Sequence, residues 1–206
     1  MRLKIKICGI TRVEDALEAA SLGADAVGFV FHPPSPRYIE PEAAAEIVEK
    51  LPALITVVGV FVDLPREKVR EIAARAGLQV IQLSGSESPE YCLSLGLKWI
   101  KAIRLKEPED WSLFASYGKD RDFLLDSHVE GSHGGTGRTF NWEWAAGAGK
   151  YGRIILAGGL TAENVAQAVR LVNPVGVDVS SGVEKAPGIK DHRKMAAFVQ
   201  AVRRIE

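Results

Sequence analysis

A thiol and a carboxylate each end an apolar run of this chain, where both can exchange protons with a bound molecule. Cys8 closes the run Leu3–Cys8, and Asp126 closes the run Asp122–Asp126. A carboxylic acid can give a proton and a thiolate can take one, so the pair suits general acid–base chemistry. Taken singly, each residue is as readily structural, because free cysteines are often inert core and carboxylates often only accept hydrogen bonds.

Two clusters of small residues follow the last two apolar runs. Gly158 and Gly159 follow the run 153–157, and Ser180, Ser181 and Gly182 follow the run 175–179. Such loops expose backbone N–H groups without obstructing side chains, which is how phosphate is commonly bound. The pattern favours a phosphate site over glycines that merely turn the chain.

Two other loops are suited to holding a ligand. Arg37 ends a proline-rich segment, 33–37, whose restricted backbone can hold a guanidinium in place for a carboxylate. A glycine-rich stretch at 131–138 is either a plain flexible loop or a lid that closes over the same ligand.

Short apolar runs alternate with amphipathic stretches along the whole chain, which indicates strands covered on both faces, as in a parallel sheet. We predict a single-domain α/β protein over residues 1–206, folded as a (βα)8 TIM barrel. An open doubly wound sheet is the runner-up, but no GxGxxG motif follows the first strand. In a barrel the strand ends form the active face. The predicted strands are 3–8, 26–31, 56–62, 79–83, 99–104, 122–126, 153–157 and 175–179, and the predicted helices are 13–22, 41–51, 66–76, 89–95, 108–117, 142–148, 161–171 and 191–204.

Composition narrows the function classes. The 206 residues contain 26 Lys plus Arg and 26 Asp plus Glu, a balance that argues against a nucleic-acid-binding protein. No apolar run approaches the roughly 20 residues of a membrane span, and no signal peptide is visible. The two distant cysteines, Cys8 and Cys92, read as free thiols, so we expect a cytoplasmic protein. The four histidines show no metal-binding spacing, and no metal site is predicted.

Five motifs in order resemble the phosphoribosylanthranilate isomerase family of tryptophan biosynthesis. They are the segments 6–11 (KICGIT), 28–31 leading to 35–37 (GFVF, SPR), 134–137 (GGTG), 156–160 (LAGGL) with Asn164 and Val165, and 177–184 (VDVSSGVE). The resemblance implies an Amadori rearrangement of N-(5′-phosphoribosyl)anthranilate to 1-(2-carboxyphenylamino)-1-deoxyribulose 5-phosphate, the third step from chorismate to tryptophan. It implies no metal or organic cofactor, and a homodimer is possible, since the family contains monomers and dimers.

The resemblance also implies a role for each matched residue. Cys8 matches the general base and Asp126 the general acid, while Arg37 lies near the anthranilate moiety. We expect Lys6, two residues before Cys8 and on the same face of the strand, to favour the thiolate. The expected phosphate loops contain Gly158, Gly159, Ser180, Ser181 and Gly182, and the expected sixth loop contains Gly135, Thr136 and Gly137.

Two positions depart from the family pattern. Ser84 stands where the family commonly has histidine, so that residue's role cannot be transferred, and Asn141 stands where aspartate is usual. Two alternatives remain at this stage. One is a related sugar-phosphate isomerase, which would be expected to have paired aspartates at the ends of strands one and five. The other is a barrel that binds a sugar phosphate without catalysis.

Overall fold

Eight parallel strands form a closed barrel in chain order, and the last strand pairs with the first. The computed structural model describes residues 2–104, 112–118, 120–126 and 142–205. The closed ring confirms the predicted (βα)8 barrel, because a doubly wound sheet would leave two edges open. The strands are β1 (Lys4–Cys8), β2 (Ala26–Val30), β3 (Thr56–Phe61), β4 (Val80–Leu83), β5 (Trp99–Arg104), β6 (Arg121–Asp126), β7 (Gly152–Leu156) and β8 (Gly176–Val179).

Helices follow the strands and cover the outside of the barrel. They are α1 (Val13–Ser21), α2 (Pro41–Val48), α3 (Arg66–Arg75), α4 (Pro89–Ser94), α5 (Ser112–Ser116), α6 (Val165–Val172) and α7 (His192–Arg203). Between β8 and α7 lies a small antiparallel hairpin, β9 (Glu184–Ala186) and β10 (Ile189–Lys190), which the sequence pattern did not predict. No helix in the described ranges is long and apolar enough to cross a membrane.

Two predicted helices differ from the structure. The single helix expected over 142–148 is wrong: two 3-10 segments, Trp142–Ala145 and Ala148–Lys150, stand on either side of Gly147, whose φ of 88° interrupts any helix. The start expected at Thr161 is also wrong, because α6 begins at Val165. The Asn164 side chain bonds Thr161 N–H and the Gly159 carbonyl instead, which holds the preceding loop.

Strand alternation divides the core into two layers. Ile5 and Ile7 point outward and are fully buried between the sheet and the helices, while Lys6 and Cys8 point into the barrel. The outer layer is apolar and includes the fully buried Phe29, Phe61, Phe123 and Phe198. Because the apolar side chains pack between the sheet and the helices, charged side chains can occupy the barrel interior at the carboxyl ends of the strands.

A buried ion pair holds the loop after β4. Lys101 Nζ donates to Glu87 Oε2 at 2.8 Å and to the carbonyl oxygens of Gly85 at 2.7 Å and Leu83 at 3.3 Å. The Glu87 carboxylate also accepts from the N–H groups of Asp63 and Gly85. This cluster fixes the backbone on which Ser84 stands.

We expect Lys101→Met to lower the free energy of unfolding by about 3–5 kcal/mol, because Glu87 is left as a buried charge without its cation. Lys68→Met is the control, since it removes an exposed pair with Glu71 and should change stability by no more than about 0.5 kcal/mol. Urea denaturation of both variants measures the difference. If both variants lost the same free energy of unfolding, the buried Lys101–Glu87 pair would contribute no more to stability than the exposed Lys68–Glu71 pair.

Candidate active site

A pocket of about 500 Å³ opens at the carboxyl ends of the strands. It brings together eight predicted site residues: Cys8, Arg37, Asp126, Gly158, Gly159, Ser180, Ser181 and Gly182. The predicted Gly135, Thr136 and Gly137 lie outside the described residues. In the barrel ring β7 and β8 separate β1 from β6. The thiol and the carboxylate therefore stand on either side of the two glycine- and serine-containing loops.

The thiol of Cys8 lies beside a glycine on the neighbouring strand. Cys8 is paired in register with Gly28 on β2. A Cβ atom at Gly28 would lie 2.8 Å from Cys8 Sγ and 3.1 Å from Lys6 Cε. Any larger residue would displace both side chains, so the glycine of the GFVF segment leaves the space that the thiol and the lysine occupy.

Lys6 connects Cys8 to a buried polar chain across the barrel floor. Its Nζ lies 2.9 Å from Asp178 Oδ1 and 2.9 Å from Gln82 Oε1. Gln82 Nε2 donates to Ser84 Oγ at 3.2 Å. Ser84 thus ends this hydrogen-bonded chain at the pocket wall, in the position where the related family commonly has histidine.

Opposing effects set the ionisation of Cys8. Burial raises the pKa of the thiol, the Lys6 ammonium lowers it, and the Asp178 carboxylate raises it, with a net upward direction. Burial lowers the pKa of Lys6, but Asp178 and Cys8 outweigh burial, so that pKa is raised and the ammonium persists. The thiol of Cys8 therefore lies beside a buried ammonium that opposes the effect of burial on its pKa.

The loops after β7 and β8 contact each other and form a glycine-rich cradle. A Cβ atom at Gly182 would lie 1.9 Å from the Leu160 carbonyl oxygen, so only glycine permits this approach. Gly158 and Gly159 have φ values of 83° and 65°, which L side chains rarely adopt. The Ser180 hydroxyl is buried and has no hydrogen-bond partner among the described residues. A phosphate oxygen bound here would give that hydroxyl an acceptor.

Arg37 is held at the pocket wall beside the end of β1. Its Nε and Nη2 donate to the two oxygens of Glu184 at 2.9 and 2.7 Å. A Cβ atom at Gly9 would lie 2.5 Å from Arg37 Cδ, so the side chain crosses the end of β1 over a glycine. The ion pair leaves Nη1 free of Glu184 and available to a ligand carboxylate.

Sequence reasoning gave no role to several polar residues near this site. Asp178, Gln82, Glu184 and Lys190 stand within or beside runs that read as strand, and nothing local separates them from surface residues. For Asp178 a signal existed, since a carboxylate inside a buried strand needs a partner. Among the described residues, no group of three or more His, Cys, Asp or Glu side chains is arranged to hold a metal ion.

Comparison with known proteins agrees with this geometry. Residues 5–201 match the family described as N-(5′-phosphoribosyl)anthranilate (PRA) isomerase. This chain belongs to that isomerase family. The match runs from the second residue of β1 into α7 and confirms the resemblance drawn from the five motifs. A relative named N-(5′-phosphoribosyl)anthranilate isomerase, from Pelobacter propionicus, is 50% identical over 198 residues, which are 96% of this chain and 94% of the relative.

Solved structures of the isomerase family share the fold. Monomers of the dimeric phosphoribosylanthranilate isomerase from Thermotoga maritima superpose with a TM-score of 0.88, at 39% identity and 98% coverage of both chains. An isomerase of this family in complex with reduced 1-(o-carboxyphenylamino)-1-deoxyribulose 5-phosphate gives a TM-score of 0.88, again at 39% identity and 98% coverage of both chains. The (βα)8 barrel is thus shared along the whole chain.

The unpartnered hydroxyl of Ser180 generates a prediction about anion binding. Ser180→Ala should leave the melting temperature unchanged or raised, because the hydroxyl makes no hydrogen bond within the part of the chain that the structure describes. It should also reduce the rise in melting temperature that inorganic phosphate causes, since a bound anion loses one donor. Ser21→Ala, at an exposed helix end, is the control. An unchanged phosphate effect in Ser180→Ala would argue against a phosphate at this loop.

Proposed function

We propose that this isomerase-family chain converts N-(5′-phosphoribosyl)anthranilate into 1-(2-carboxyphenylamino)-1-deoxyribulose 5-phosphate, with Cys8 as base and Asp126 as acid. The observation on which this rests is one pocket that holds a thiol beside a buried cation, a carboxylate and, between them, two loops rich in glycine and serine. The domain proposed to catalyse this reaction comprises residues 1–206, whose first and last barrel strands pair with each other. The cytoplasmic location and the homodimer remain predictions.

The cradle and Arg37 fix the two ends of the substrate. The phosphate would lie against Gly159, Ser180, Ser181 and Gly182, and the anthranilate carboxylate would lie near Arg37. The ribose carbons then lie between these two anchors. Fixing both charged ends lowers the entropy lost in reaching the transition state.

The reaction begins with proton donation. Asp126 protonates the furanose ring oxygen, the C1′–O bond breaks, and the nitrogen lone pair forms a protonated Schiff base at C1′. The Cys8 thiolate then removes the C2′ proton, and the C2′–H electrons form an enolamine while the positive charge on nitrogen is neutralised. Ketonisation at C2′ with protonation at C1′ gives the aminoketone product.

Proton balance requires the two groups to recover their starting states. After the second step Cys8 holds a proton and Asp126 lacks one, and ketonisation changes no net proton count. One proton must therefore pass from the thiol to the carboxylate before the next turnover. Lys6 favours the thiolate form, because its buried ammonium lies beside Cys8 and lowers the pKa of the thiol, whereas Asp178 acts in the opposite direction.

The residues at the strand ends also bear on the alternatives. A related sugar-phosphate isomerase with aspartates ending strands one and five does not fit, since β1 ends in Cys8 and β5 ends in Arg104. A sensor that binds a sugar phosphate would need neither a buried thiol nor a cation beside it. Loss of anthranilate-type fluorescence on incubation with phosphoribosylanthranilate tests turnover directly and separates these readings.

Removal of either proton-transfer group should abolish most of the activity. We expect Cys8→Ala and Asp126→Asn each to lower kcat by about 10²–10⁴-fold, the usual contribution of general acid–base catalysis. Cys92→Ala is the control, because this second buried thiol lies on α4 and is not among the pocket-lining residues. It should keep kcat and lose only stability. A Cys8→Ala enzyme with full turnover would overturn the assignment of the base.

The Lys6 ammonium should set the pH at which Cys8 becomes active. The charged groups facing the thiol are Lys6 on β1, Asp178 on β8 and Lys190 on β10. Because the pKa of Cys8 is raised, its alkylation by iodoacetamide should increase with pH on the alkaline side. Lys6→Met removes the nearest cation and should move that rise to higher pH.

Lys4→Met is the matched control for this pH dependence. Lys4 lies on the same strand and face but is exposed and pairs with Asp25. Its replacement should leave the alkylation profile unchanged. If Lys6→Met left the pH dependence of alkylation unchanged, this lysine would not set the pKa of the Cys8 thiol.

A further inference from the structure

The hairpin that follows β8 buries two charged residues that the proposed mechanism does not use. Glu184 begins β9 and Lys190 ends β10. The side chain of Lys190 is fully buried and that of Glu184 is 5% exposed. Charged side chains are rarely buried this completely unless they are paired, and here they are paired with each other at 2.8 Å.

Glu184 connects the hairpin to Arg37. Both carboxylate oxygens accept from the guanidinium, a bidentate arrangement that fixes its plane as well as its position. The Glu184 carboxylate also accepts from the N–H of Gly188 across the hairpin at 3.3 Å. Burial raises the pKa of Glu184, but Arg37 and Lys190 outweigh burial and lower it, so the carboxylate stays ionised.

Lys190 connects the same carboxylate to the strand end that bears the thiol. Its Nζ donates to the backbone carbonyl oxygen of Cys8 at 2.5 Å and to that of Ser180 at 3.4 Å. One ammonium group therefore ties the ends of β1 and β8 to the anchor of Arg37. These are the residues proposed as base, phosphate contact and carboxylate contact.

The outer side of the hairpin is held to the helices. The backbone N–H of Lys190 donates to Asp15 Oδ2 on α1 at 3.0 Å, and Lys194 Nζ on α7 donates to the Glu184 carbonyl oxygen at 2.9 Å. The Thr11 hydroxyl donates to the Gly188 carbonyl oxygen at 2.5 Å. The hairpin is thus fixed on both sides and can transmit a defined position to the pocket.

A contribution to the stability of the fold does not by itself explain why Glu184 and Lys190 are charged. Replacing a buried ion pair with apolar residues of similar size is often neutral or stabilising, because desolvation offsets the attraction between the charges. The pair is located where three pocket elements meet, and each of its contacts fixes a group that would touch the substrate. This location indicates a role in geometry rather than in folding.

We propose that Glu184 and Lys190 are positioning residues, which fix the positions of the Arg37 guanidinium and the Cys8 end of β1 relative to each other. The inference rests on the proposed function, which places Arg37 at the substrate carboxylate and Cys8 at the C2′ proton. Glu184 acts on binding, because it orients the group that grips the carboxylate. Lys190 acts on the proton transfer, because it holds the backbone of the base.

The test is a split between KM and kcat measured with phosphoribosylanthranilate. Glu184→Gln should raise KM about tenfold with a smaller change in kcat, since a binding contact is lost in the ground and transition states alike. Lys190→Met should lower kcat at least about tenfold with a smaller change in KM, since a small displacement of a catalytic group is costly. Lys185→Met, an exposed neighbour on β9, is the control and should match the unmodified chain.

A double variant tests the proposal even if the single variants fail to fold. Glu184→Met combined with Lys190→Met removes both charges together and leaves no half of this pair unpaired. It should fold, raise KM and lower kcat, with a combined effect smaller than the product of the single effects because both residues belong to one cluster. Folded variants whose kinetic constants equal those of Lys185→Met would overturn the proposal.

A crystal structure of Glu184→Gln separates this proposal from the assignment of acid and base. Displacement of the Arg37 guanidinium would support the positioning role without reference to turnover, and an unmoved guanidinium would contradict it. Full turnover by Cys8→Ala or Asp126→Asn would instead overturn the catalytic assignments. The two failures are therefore distinguishable.

Discussion

The pairing of β1 with β8 is the constraint on which the rest of the site depends. Four residue pairs in register, from Lys4 with Gly176 to Ile7 with Val179, close the sheet. Closure brings residues about 170 positions apart in the chain into contact, as the Lys6–Asp178 pair shows. Without this closure the thiol on β1 would lie apart from the loop after β8 and from the hairpin.

Within the closed barrel, buried lysines organise the carboxyl end of the strands. Lys6 bridges β1, β4 and β8, Lys101 holds the loop after β4, and Lys190 ties β1 and β8 to Arg37. Each ammonium donates to more than one acceptor, which a flexible stem with three donors permits. Each lysine thus orients backbone or carboxylate groups around the pocket, while apolar packing between strands and helices provides the bulk of the buried surface.

The local sequence pattern predicted a structural feature correctly where that feature depends on a single strand or helix. The eight apolar runs predicted the eight strands because both faces of a parallel strand are covered, so most of these runs are hydrophobic almost throughout. Gly23 and Gly77 follow the ends of α1 and α3 with positive φ, the backbone conformation for which glycine is favoured after a helix. Pattern failed at 142–148 and at Thr161, since Gly147 adopts a left-handed backbone and Asn164 bonds backwards to the loop. The local hydrophobic pattern predicts neither the backbone conformation of Gly147 nor the hydrogen bonds of Asn164.

By itself the sequence determined the barrel, the family and the strand ends at which Cys8, Asp126, Gly159 and Ser180 stand. These follow from periodicity and from motifs, which are properties of neighbouring residues. Only the tertiary structure decided which charges meet: Lys6 with Asp178, Lys190 with the Cys8 carbonyl, and Glu184 with Arg37. The physical reason is that ionisation and orientation depend on burial and on partners distant in the chain, and both exist only once the barrel has closed.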